Sequence, residues 1–92
     1  MVDDMGNNNF QINVIDIAPS ADELTDYDRA HLRTYLRLLD AEADKASWQE
    51  AVSVILGFHP EEDEERARLA YETHLARARW MAKKGHTALL RP

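Results

Sequence analysis

The chain has 92 residues and no cysteine, and seventeen acidic residues face eleven basic ones for a formal net charge of -6. That length is one small domain, the absent cysteines exclude a disulfide framework, and no apolar run approaches the roughly 20 residues of a membrane span. The acidic, polar N-terminus is not a secretory signal, so a cytoplasmic protein is expected, and the acidic total argues against a uniform phosphate-binding surface.

Met1 to Asn9 has little to bury and contains Gly6-Asn7-Asn8-Asn9, so it reads as disordered. Residues 1–24 carry Asp3, Asp4, Asp16, Asp22 and Glu23 and no base. They form a flexible acidic leader ahead of a domain over 25–92. Within the leader, Phe10, Ile12 and Val14 alternate with Gln11 and Asn13, a strand-like period over 10–17. One strand cannot make a sheet. The segment either docks in extended form or pairs with something outside the chain.

The first helix is predicted from Thr25, whose hydroxyl can cap it with Asp28 in the first turn, to about Asp44. Leu32, Tyr35, Leu36, Leu39 and Ala43 give it one apolar face. Arg29, Arg33 and Arg37 recur on another. The second helix is short. Ser47 and Glu50 make an S-x-x-E capping box around Trp48, and Gly57 is its expected stop. Trp48, Ala51, Val52 and Ile55 share its core face.

The third helix is long. Pro60 suits a first turn, and Glu61, Glu62, Asp63, Glu64 and Glu65 suit the positive end of the helix dipole. Gly85 is the expected stop, before a tail with Leu89-Leu90. Two apolar stripes run along this helix. Ala67, Ala70, Tyr71, His74, Leu75, Ala78, Met81 and Ala82 form a broad face. Leu69, Ala76 and Trp80 lie nearly opposite and need another cover: the tail, the 10–17 segment or another protein. The sum is an all-α, three-helix domain with an extended-turn helix-turn-helix arrangement.

Nothing in the chain carries catalytic chemistry. His31, His59, His74 and His86 are far apart and no cysteine supports them, so no metal site or cofactor is expected. His74, on the apolar face, reads as a hydrogen-bonded core histidine. The three glycines are isolated, which excludes a phosphate loop. So small a chain offers little concave pocket. No enzyme activity is expected.

Several features have two readings. The block 61–65 either complements the helix dipole or repels DNA from the third helix. Arg29, Arg33 and Arg37 either form a solvated face tied by Asp26 and Asp40, or contact phosphate or an acidic partner. Arg77, Arg79, Lys83 and Lys84 are either the cationic end of a helix or a nucleic-acid contact. Trp80 is either an interface anchor or covered by Leu89 and Leu90.

Asp28-Arg29-Ala30-His31-Leu32-Arg33, Leu36-Arg37-Leu38-Leu39-Asp40-Ala41, Ile55-Leu56-Gly57, and Ala76-Arg77-Ala78-Arg79-Trp80-Met81 with Gly85-His86 and Leu89-Leu90 resemble a proteobacterial domain-of-unknown-function family. The resemblance spans about residues 25–91. The family occurs in regulators of integrative and conjugative elements. In FseA-type activators this domain follows an N-terminal domain and offers DNA a basic surface. The single-domain members resemble QseM-type antiactivators, which restrain such activators and quorum-sensing LuxR-type regulators by binding them.

At this size the chain is expected to lack the activator's N-terminal domain, and its acidic block departs from the activators' basic surface. The resemblance therefore implies an antiactivator of transcription that blocks horizontal transfer of the element through protein–protein interaction. It would bind the activator's N-terminal domain, be monomeric when free and bind no DNA or membrane. Leu69, Ala76, Trp80, Leu89 and Leu90 are the expected partner contacts, and Glu61 to Glu65 the surface of negative charge that disfavours DNA. The alternatives are a DNA-binding helix-turn-helix regulator and a homodimer closed through Trp80.

Overall fold

The computed structural model describes residues 14–85. Met1 to Asn13, with the start of the extended segment, and the tail with Leu89 and Leu90 lie outside the described residues. Thr25 opens the first helix with a complete capping box. Its hydroxyl accepts from the Asp28 N–H, and the Asp28 carboxylate accepts from the Thr25 N–H at 2.9 Å. Four orphan N–H groups open every helix, and the box satisfies two of them.

The predicted first helix is two. α1 (Asp26–Ala30) stops at His31, and α2 (Leu32–Ala43) resumes after it. His31 has φ -117° and ψ 23°, outside the helical well. Its ring Nδ1 donates to the Tyr27 carbonyl at 2.8 Å, and the ring stacks on Tyr27 at 3.8 Å. The side chain thus shares a carbonyl that the backbone ladder also uses. The inward face of α2 keeps Leu32, Tyr35 and Leu39 of the predicted stripe, adds Leu38, and leaves Leu36 and Ala43 outside. Tyr35 and Leu38 are buried, whereas Leu36 is exposed. Leu36 lies about 100° round the helix from Tyr35, at the edge of the stripe that meets the third helix.

α3 (Trp48–Ala51) is capped by Ser47, whose hydroxyl accepts from the Glu50 N–H. It widens into a π-type turn over Val52–Leu56, closed by the Gly57 N–H donating to the Val52 carbonyl. Gly57 has φ 82°, the left-handed conformation that glycine adopts without a Cβ penalty.

α4 (Glu64–Trp80) continues as a π-type turn over Met81–Gly85, reaching the predicted stop. Its start differs from the expectation. The His59 carbonyl accepts from both the Glu62 and Asp63 N–H groups, which closes a turn around Pro60. Asp63 is then extended and caps α4 by accepting from the Arg66 N–H. Pro60, Glu61 and Glu62 therefore belong to the connection and not to the helix. The turn between α3 and α4 is extended, as predicted.

Leu38, Val52, Leu56, Ala67, Ala70 and Leu75 form the main core, with Trp48 and Tyr71 packed at its edge. Tyr35, Ala78 and Met81 make a second cluster toward the far end of α4. Small residues on α4 let α2 and the π-type turn approach it closely. Among the described residues the protein is all-α, with three main helices counting α1 and α2 together, and no strand. No described helix is long and apolar enough to cross a membrane.

Candidate protein-interaction site

The site begins with what holds the leader to α4. Arg77, expected at the surface as part of a cationic helix end, is buried at 4% exposure. Its guanidinium forks onto Asp28, with Nε to Oδ1 at 3.0 Å and Nη2 to Oδ2 at 2.6 Å. The other donors reach the leader: Nη1 bonds the Ala21 carbonyl at 2.6 Å and Nη2 the Glu23 carbonyl at 3.0 Å. The Tyr35 hydroxyl donates to Asp28 at 2.7 Å. Burial alone would raise the Asp28 carboxyl. The bonds from Arg77, Thr25 and Tyr35 outweigh it and hold the group far below the usual carboxylate range. Burial and the same carboxylate push the Tyr35 phenol up.

A second buried chain runs alongside. His74 Nδ1 lies 2.7 Å from the Ala70 carbonyl, which can only accept, so that nitrogen carries the proton. Nε2 is then the acceptor for the Tyr27 hydroxyl at 2.6 Å, and that hydroxyl in turn accepts from the Ile15 N–H. His74 is thus neutral and fully satisfied. Burial pushes its pKa down. It is the hydrogen-bonded core histidine predicted.

These contacts lay the end of the leader along α4. Asp16 pairs with Arg66, and the Ala18 N–H donates to the Thr73 hydroxyl at 3.1 Å. The two anchors bracket Leu69 along the helix. The described part of the 10–17 segment, residues 14–17, therefore docks on the helices, with a bend at Asp16 and Ile17. Residues 17–20 face Thr73, Ala76 and Trp80 across a groove of about 340 Å³. Part of the second apolar stripe is covered in this way. Trp80 is half-buried, packed against the second core cluster with the Arg77 guanidinium 3.9 Å from its ring centre. Leu69 remains 44% exposed, and Ile15 and Ile17 are also exposed.

Leu69, Ala76 and Trp80 thus lie on one side of α4, as predicted. Ile17 and Thr73 join them, although spacing alone does not assign them there. Thr73 has a signal, four residues after Leu69 and three before Ala76. Ile17 has none, because its place depends on bonds made by residues far along the chain. Leu89 and Leu90 lie outside the described residues.

The acidic block divides in two. All five residues are exposed. Asp63, Glu64 and Glu65 cap or enter α4 and complement its dipole. Glu61 and Glu62 sit in the preceding turn. The arginines of α4 are engaged in turn. Arg66 pairs with Asp16, Arg68 with Glu72, Arg77 with Asp28 and Arg79 with Glu42. Among the described residues no group of three His, Cys, Asp or Glu could hold a metal ion. No family model matches the chain, and comparison with the curated proteins finds no match.

Proposed function

We propose that the protein is a cytoplasmic antiactivator that captures a transcriptional activator through the outer face of α4, and so blocks excision and transfer of an integrative and conjugative element. One observation carries this reading over DNA binding. The helix that a helix-turn-helix protein would offer to DNA opens on exposed carboxylates, and each of its described arginines already pairs with a carboxylate of the same chain. Paired cations release few counterions on meeting phosphate. The face between them is apolar, with Leu69 and Trp80 suited to anchor a protein surface.

The activator's N-terminal domain is the proposed target, and a LuxR-type regulator the second. A free domain of this kind would displace the activator's own tethered copy, which holds the advantage of effective concentration. It must therefore be abundant or bind more tightly. The resemblance in residues 25–91 supports this choice of target. The apolar stripe supports a protein as the ligand.

The test is titration calorimetry of the full chain with the purified N-terminal domain of an FseA-type activator. Leu69→Glu should abolish binding while leaving the helical spectrum unchanged, because Leu69 is largely outside the core. Trp80→Ala should also abolish it, with some loss of stability from its half-buried ring. A salt-sensitive shift of promoter DNA by the pure protein, with no heat on adding the activator domain, would reject the reading.

A further inference from the structure

A second groove, of about 870 Å³, lies between the first helical pair and the turn after α3. It shares no lining residue with the Trp80 groove. Leu32 and Ile55 line it, and Val54, 65% exposed, stands at its edge. Arg29, Arg33 and Arg37 line it as well. Residues four apart are neighbours on a helix surface, so Arg33 and Arg37 stand side by side on α2 beside apolar walls, and Arg29 reaches the same groove from α1.

These arginines differ from those of α4. Arg29 bonds the exposed Asp26. Arg33 and Arg37 have no ion pair or hydrogen bond to any other described residue. Two uncompensated guanidinium groups beside an exposed valine suit an amphipathic ligand. Each guanidinium can hold a carboxylate through two parallel N–H donors. Sugar-phosphate backbone would satisfy the cations but leave Val54 uncovered, and the chain's overall acidity opposes it.

We propose that this groove binds an acidic amphipathic segment of a partner protein, with carboxylates on Arg33 and Arg37 and apolar side chains against Val54 and Leu32. A helical segment lying in the groove would present such anchors three and four residues apart. The site is separate from the α4 face and stands or falls without the antiactivator reading.

The experiment is fluorescence anisotropy of the full chain with three labelled probes. One is a synthetic amphipathic peptide with leucines and glutamates at helical spacing. The second replaces every glutamate with glutamine, and the third is a short DNA duplex. The acidic peptide should bind about tenfold more tightly than its amide counterpart, as charge-assisted contacts predict. Arg33→Glu with Arg37→Glu should remove that preference, and Val54→Asp should weaken both peptides. Leu69→Glu should change neither. All these positions are exposed, so circular dichroism should report an unchanged fold.

Equal binding of the two peptides overturns the proposal. So does duplex binding lost with Arg33 and Arg37 while the acidic peptide fails to bind, which makes phosphate the ligand. Acidic-peptide binding that appears only after deletion of residues 1–13 also overturns it, because the chain's own leader then holds the groove.

Discussion

Two ion pairs join the N-terminal part of the chain to α4 with nearly the same sequence separation, and they differ in almost everything else. Arg77 and Asp28 are buried, at 3% and 0% side-chain exposure, and every arm of the guanidinium is used. Arg66 and Asp16 are both about half exposed. Their geometry is equally good, with Arg66 Nε and Nη2 reaching the two Asp16 oxygens at 2.9 and 3.0 Å. The comparison separates geometry from environment. Water screens the outer pair and would solvate either partner left alone. The inner pair has no such fallback, so each charge depends on the other.

The largest expected effect comes from breaking the inner pair on one side. Arg77→Ala or Asp28→Ala should cost about 3–5 kcal/mol in urea unfolding, because a buried charge loses its partner. The double variant Asp28→Leu with Arg77→Met should recover much of that loss. If the single variants unfold at the wild-type urea concentration, the pair is not buried in solution. Tyr35→Phe comes next. It removes one hydrogen bond to a charged group, at a cost of about 1.5–3 kcal/mol.

Acid should separate the two regions by pH. Burial lowers the His74 pKa, so the folded state binds its proton more weakly than the unfolded chain does. That stability is complete above the ordinary histidine value of about 6.5 and is lost as pH falls below it. Asp28, whose folded pKa is also depressed, adds stability present above the ordinary carboxylate value of about 4 and lost below it. Melting temperature should therefore fall in two stages on acidification. Asp28→Asn should remove the lower stage and keep the upper one. The smallest effect is expected for Arg66→Ala, which should leave the melting temperature almost unchanged. It should still speed amide exchange of residues 15–18, because the leader loses one of its anchors.

The helices and most of their buried faces could be read from periodicity, since apolar spacing is set by local geometry. The broad face of α4 appears in the structure nearly as the spacing implies. Arg77 escaped because its chemistry suggested a cationic helix end, while its partner lies far away and looked like an ordinary first-turn acid. A signal was present: Arg77 is three residues after His74 and four before Met81, in register with the buried face. The break at His31 depends on one ring bonding one carbonyl, which no propensity encodes. The acidic run gave the right region for the start of α4 but not the position, because the turn around Pro60 closes before the helix begins. At the candidate site, Leu69, Ala76 and Trp80 were readable as an unsatisfied stripe. Ile17 was not, because its place is fixed by leader contacts with Arg66 and Thr73.

The Arg77 fork also constrains how this sequence can change. Its planar donors meet one carboxylate and two backbone carbonyls at once, a pattern that the single ammonium of lysine cannot reproduce. Neither charged residue can be exchanged alone without stranding the other. Any homologous chain should therefore carry the acid and the arginine together or replace both in one step through apolar residues. The paired occurrence of Asp28, Tyr35 and Arg77 equivalents is then a more discriminating fingerprint for this fold than the exposed charges that dominate its composition.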